Sequence, residues 1–254
     1  MSKVIAVANQ KGGVAKTTTT GALATGLKRK GFNVLLIDLD PQGNLSDSMG
    51  AINYDCPTMY ELLKREVDIK AAIQKLAVCD IIPANILLAG AEQEISETGK
   101  EHRLKETLEV VDKEYDYILI DTPPSLGILT VNAFTAANEI LIPSTAGIFA
   151  AKGIMQLSHT IDNVKKYCNR ELNISGVLIT KYNPRANISR DIKKLTEQLS
   201  SQINAKVYKT FIRSSVTVEE AQATKTDIFS YDQTSTVAKD YESFVEEFLD
   251  GDDN

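Results

Sequence analysis

A glycine pair flanked by two lysines, in the run Asn9-Gln10-Lys11-Gly12-Gly13-Val14-Ala15-Lys16-Thr17-Thr18, holds the residue types best suited to gripping phosphate. Glycines let backbone N–H groups converge on one anionic ligand, a lysine adds a mobile positive charge, and a threonine hydroxyl can ligate magnesium. The usual phosphate loop reads G-x-x-x-x-G-K-[ST]. Aligning Lys16-Thr17 with its end leaves Gln10 and Ala15 where the two glycines belong. Three acids stand further along the chain. VLLIDLDPQGNLS carries Asp38 and Asp40, and YILIDTPPS carries Asp121. Beside a phosphate loop, one acid can hold magnesium through water and another can orient the water that attacks a γ-phosphate. Taken singly, an acid in such a place is more commonly a helix cap or a solvated strand end; a tight turn with a solvated lysine is the weaker reading of the loop, because chance seldom supplies the downstream carboxylates as well.

Those residues need elements to position them. The apolar runs at 4–8, 34–38, 79–83, 117–121, 139–143 and 174–180 lack in/out alternation, so they read as strands buried on both faces. Helix-period segments separate them: after Thr17, at Arg103–Lys113, Gly127–Ala137, Ala150–Tyr167 and Ile188–Gln202, and near Val237–Leu249. The expected fold is α/β, a mostly parallel twisted sheet covered by helices on both faces, the architecture of a P-loop NTPase. The phosphate loop then lies between strand 4–8 and the alanine-rich helix that Gly31 ends. The acids lie at carboxyl ends of strands, where open α/β sheets bind ligands. One domain over residues 1–250 is expected, with 251–254 a disordered acidic tail.

With these motifs together, KGGVAKT, IDLDPQGN and IDTPPS, the chain resembles the deviant Walker A ATPases, and among them the ParA/Soj family that partitions plasmids and chromosomes. The resemblance runs over nearly the whole chain, including VCDIIPANILLAGAEQEI, EILIPSTAGIFAAKGIMQL and IRSSVTVEEA. It implies ATP and Mg2+ as ligands of Lys11, Gly12, Gly13, Val14, Ala15, Lys16, Thr17 and Thr18. Lys11 is the family's signature lysine, expected to reach the nucleotide of a partner subunit in an ATP-bound homodimer. Lys11, Lys16 and Asp40 are then the catalytic residues of a slow, partner-stimulated ATPase. Thr17, Asp40 and Asp121 attend the metal, and Asp38 supports them. The family usually has glycine where this chain has Ala15. If that position needs a positive φ, alanine costs on the order of 1 kcal/mol.

The resemblance further implies that the dimer binds DNA without sequence preference and that a ParB-type centromere-binding partner stimulates hydrolysis and release. A net charge of −6 argues against a DNA partner at first sight, but the segment from Lys181 to Arg213 is basic and the acid is concentrated elsewhere. The candidate DNA contacts are Arg185, Arg190, Lys193, Lys194 and Arg213; a solvated helix face is the plainer reading of such a run. Where family members often have a further basic residue, this chain has Thr217. The acidic end VAKDYESFVEEFLDGDDN is unsuited to anionic lipid, unlike the basic amphipathic end of MinD-like relatives, so no membrane partner is expected. Cys56, Cys79 and Cys168 lack metal-ligand spacing, which excludes a cysteine-held cluster. With the phosphate loop so near residue 1, no preceding helix-turn-helix domain is expected, and the location expected is cytoplasmic, on the nucleoid. The alternative from another class is an ATP-switched positioning factor for a protein cargo that does not use DNA.

Overall fold

The computed structural model describes residues 1–145, 150–183, 203 and 205–251. Among these, seven strands form one sheet: β1 (Lys3–Val7), β2 (Val34–Asp38), β3 (Asp80–Ile82), β4 (Tyr117–Asp121), β5 (Glu139–Thr145), β6 (Asn173–Tyr182) and β7 (Val207–Arg213). Their spatial order is β3-β2-β4-β1-β5-β6-β7, and every strand pairing is parallel. Each of the six apolar runs becomes a strand. The seventh, VYKTFIR, was not expected, because Lys209 and Arg213 interrupt its apolar pattern and disguise it as part of a basic segment.

Parallel neighbours require crossovers, and among the described residues helices on both faces supply them. Successive residues of β1 serve different cores. Val4, Ala6 and Ala8 join one with Leu35, Ile37, Ile118 and Ile120. Ile5 and Val7 join the other with Val34, Leu36, Leu119 and Leu141. Helix 128–136 and helix 150–167 cover the first face; helix α1 (Lys16–Arg29) and the C-terminal helix Thr236–Asp250 cover the second. The helix from Arg103 stops at Leu108, and short helices absent from the sequence reading appear, among them α2 (Asn44–Met49) and Thr217–Ala223. The expected helix Ile188–Gln202 lies outside the described residues, as do residues 252–254; Gly251 itself closes the C-terminal helix, its N–H bonded to Phe248 O.

Helix α1 and the C-terminal helix sit unusually close. A Cβ built at Gly26 would lie 2.4 Å from Val245 Cγ2, so only glycine admits this approach. Phe244 and Phe248 anchor the same helix, Phe244 edge-on to Tyr208 at 5.0 Å; burying each ring contributes about 2–3 kcal/mol. Tyr241 adds a buried contact between its hydroxyl and Thr19 Oγ1 at 3.2 Å. No helix among the described residues is long and apolar enough to cross a membrane.

Candidate nucleotide site

Strand register builds the site. Asp38 at the end of β2 pairs with Asp121 at the end of β4, which in turn pairs with Val7 at the end of β1. Three adjacent strand ends thus present the loop after β1 beside two carboxylates, at the point where the chain switches from one side of β1 to the other.

The loop turns through two left-handed residues. Gly13 has φ +72° and Ala15 φ 64°, ψ 34°, with Ala15 as the residue that opens α1. A positive φ at alanine is strained, and the sequence-level condition attached to Ala15 is therefore met. A Cβ added at Gly12 or Gly13 would meet nothing within 4 Å, so both leave open space on the cleft side of the loop. Val14 is buried and its carbonyl accepts from Thr180 Oγ1 at 3.0 Å, which ties the loop to β6. Asn9 anchors the loop's entry: its Nδ2 donates to Pro143 O at 2.7 Å and its Oδ1 accepts from Lys11 N at 3.0 Å.

Lys16 is buried beneath this loop. Burial draws its ammonium below the ordinary lysine range, against the opposing pull of Asp121 and then Asp40. Thr17 Oγ1 donates to Asp121 Oδ2 at 2.7 Å. Burial, followed by the charge of Asp38, pushes the fully buried Asp121 up to about 8. Asp38 is pushed to about 6 by burial, held back by hydrogen bonds from Ser46, whose N–H and hydroxyl donate to Oδ2 at 2.8 and 2.7 Å. Its Oδ1 accepts from Asp40 N at 3.1 Å, so Asp38 shapes the turn carrying Asp40. Asp40 lines the cleft, and its own Oδ1 accepts from Gln42 N at 3.0 Å.

The cleft measures about 900 Å³. Gly12, Gly13, Ala15, Lys16, Thr17, Thr18 and Asp40 line its phosphate-loop end; Pro124, Lys181, Ile212, Arg213, Ser214, Ser215, Val216 and Val218 line other parts. A charged, glycine-lined end together with a wall carrying apolar side chains suits a nucleoside phosphate. The oxygen-only donors Thr17 and Asp121 suit a hard cation that keeps several waters and takes the rest of its ligands from phosphate. Lys11 stands apart from the cleft lining: it is exposed, and its Nζ lies 3.4 Å from Thr145 Oγ1.

Of the five basic residues read as DNA contacts, Arg185, Arg190, Lys193 and Lys194 lie outside the described residues. Arg213 is engaged by Asp240, with Nε 2.9 Å from Oδ2. Thr217 opens the helix Thr217–Ala223, its Oγ1 accepting from Ser215 Oγ at 2.9 Å. Sequence reasoning gave no role to Ser46, Asn9 or Asp240. Ser46 sits within a motif that carried the prediction, yet nothing in its type announces that it caps Asp38.

Comparison with known proteins places this geometry. The family model of the AAA domain matches residues 2–174. The sporulation initiation inhibitor protein Soj of Bacillus subtilis (strain 168) is 41% identical over 251 residues, covering 97% of this chain and 98% of that protein. The chromosome partitioning protein ParA of Myxococcus xanthus (strain DK1622) is 36% identical over 98% of this chain and 88% of its own. The chain belongs to the ParA/Soj family of P-loop ATPases. As a ParA/Soj-type protein it is an ATPase. Among solved structures, cobyrinic acid a,c-diamide synthase from Mycobacterium smegmatis with bound ADP and magnesium is similar at TM-score 0.85 and 35% identity, over 98% of this chain and 94% of that one. That neighbour shares the sheet and the nucleotide-binding architecture; the near full-length ParA and Soj relatives decide the family.

Proposed function

We propose that this ParA/Soj-type ATPase partitions DNA by a nucleotide cycle. Two copies close over ATP and Mg2+, the dimer binds DNA without sequence preference, and hydrolysis stimulated by a ParB-type partner releases it. The observation that carries the reading is the convergence of the loop, Lys16, the Thr17–Asp121 pair and Asp40 on one cleft, with Lys11 left exposed at its margin.

Each residue has a task that follows from its position. The loop amides and Lys16 gather the phosphate oxygens, and the positive end of α1 adds to their attraction. Thr17 and Asp121 would hold the metal, which would supply neutralisation of charge on the phosphates. Burial opposes the ionised form of Asp121, and a bound divalent cation would favour it. Asp40, on a turn braced by Asp38, orients the attacking water. Lys11 reaches the phosphates of the partner subunit, which makes nucleotide part of the dimer interface and couples hydrolysis to separation.

The test is binding of random-sequence duplex DNA with ATP, with ADP and without nucleotide. Binding only with ATP is expected. Two or three basic residues per subunit in a dimer give a slope of log affinity against log salt of about −4 to −5. Alanine at Arg190, Lys193 and Lys194 together should weaken binding and flatten that slope while ATP-driven dimerisation survives. Absence of DNA binding by the unaltered protein with ATP at low salt would overturn the reading and favour an ATP-switched factor for a protein cargo.

A further inference from the structure

The wall of the cleft formed by Arg213–Val216 begins at the last residue of β7, an edge strand and the most irregularly paired one. Its register with β6 shifts twice, between Val177 and Ile179 and again between Ile179 and Tyr182. Sheet hydrogen bonds alone therefore hold this strand loosely, and the wall would inherit that freedom. The C-terminal helix supplies the missing restraint through two carboxylates two turns apart on one face. Glu247 accepts from the backbone N–H of Lys209 at 2.7 Å and of Thr210 at 2.8 Å. Asp240, only 8% exposed, accepts from the backbone N–H of Arg213 at 3.0 Å and grips its guanidinium through both oxygens. The next residue, Tyr241, binds Thr19 on α1, one turn past Lys16. Adjacent residues of one helix thus reach the Arg213 wall and the helix behind the phosphate loop.

We infer that Asp240, which lines no part of the cleft itself, is a positioning residue for nucleotide binding: through Arg213 it sets where the Arg213–Val216 wall stands relative to the phosphate loop. The inference rests on the reading of this cleft as the ATP site. Arg213 lines the cleft while its partner lies behind it, so the ion pair acts as the wall's brace. Exposed ion pairs contribute little, but here one partner is buried and the same carboxylate also holds a backbone N–H, so loss of Asp240 removes the acceptor of three Arg213 donors, the backbone N–H and two of the guanidinium. Glu247 provides the internal control, because it holds the same strand at Lys209 and Thr210, which do not line the cleft.

The experiment measures dissociation constants for ADP and a slowly hydrolysed ATP analogue by calorimetry, steady-state ATPase kinetics, and thermal unfolding, on the full chain. Asp240→Ala is expected to raise both dissociation constants and KM by about tenfold, the size of one charge-assisted hydrogen bond, with kcat at saturating ATP within about twofold. The Arg213→Ala/Asp240→Ala double variant should lose no more than the worse single variant, as a coupled pair requires. Asp240→Asn, which keeps the shape and can still accept from the backbone, should fall between, and it preserves the test if Asp240→Ala does not fold. Glu247→Ala should lower the unfolding temperature and leave nucleotide affinity unchanged. Wild-type affinity in the Asp240 variants would overturn the inference, as would an equal loss of affinity in Glu247→Ala, which would reduce the effect to general destabilisation. Failure of the unaltered protein to bind either nucleotide would instead defeat the reading of the cleft, and this inference with it.

Discussion

Replacing Ala15 by glycine tests the strain built into the phosphate loop. At φ 64° and ψ 34° the alanine Cβ crowds the backbone, and the left-handed conformation costs an L-residue about 1–2 kcal/mol. Glycine removes that cost but loses about 0.4–1 kcal/mol through the greater freedom of its unfolded chain. The balance favours Ala15→Gly by about 1 kcal/mol, which for a chain of this size raises the unfolding temperature by about 2–4 °C. Nucleotide affinity should respond differently. The strain belongs to the loop in both free and bound protein, so it cancels in binding, and only the contact of one methyl group remains; a change of less than about threefold is expected. Thermal unfolding by circular dichroism without nucleotide, paired with calorimetric titration of ADP, separates the two effects. Ala15→Val sharpens the test, since a β-branched residue tolerates positive φ still less and should lower the unfolding temperature. An Ala15→Gly protein with unchanged stability and more than tenfold tighter binding would refute this reasoning, because it would mean that the left-handed turn is adopted only around nucleotide.

Other expectations follow from the same site. Lys16→Ala should abolish ATP binding, whereas Lys11→Ala should bind ATP as a monomer yet fail to dimerise or turn over; sedimentation with a slowly hydrolysed analogue distinguishes them, and normal dimerisation and turnover of the Lys11 variant would remove its cross-subunit role. Asp40→Ala should bind ATP and dimerise but hydrolyse at least tenfold more slowly, about 1.4 kcal/mol or more of transition-state stabilisation, as read by phosphate release. Gly26→Ala should destabilise the protein by about 1–3 kcal/mol through collision with Val245, measured by urea denaturation, and a neutral result would show that the two helices separate freely.

Much of this molecule is visible in single stretches of chain. YILID at 117–121 is a strand to the residue, because unbroken aliphatic character is what burial on both faces demands. The loop, the strand-end acids and α1 were equally legible, since a phosphate loop is made from consecutive residues. What escaped the sequence depends on residues far apart. β7 hides among basic residues because a half-exposed edge strand needs no apolar run. Asp240 reads as one more acid in an acidic helix, and only the fold brings it to Arg213 across 27 positions. The positive φ of Ala15 lies between these cases: sequence alignment raised the question, and only the backbone answered it.

The seating of α1 on the C-terminal helix also constrains how the chain folds. Thr19 meets Tyr241 across 222 positions, and Gly26 meets Val245 across a similar span. A ribosome makes the surface that steadies the helix behind the phosphate loop 222 positions after that helix. Contacts at such separation form late and slowly. The face of α1 that packs on Tyr241, Val245 and Phe248 is expected to lack its cover until synthesis reaches helix Thr236–Asp250. Competence to bind nucleotide is expected to be delayed to the same moment, and ATP binding by chains stalled before and after Tyr241 would measure that delay.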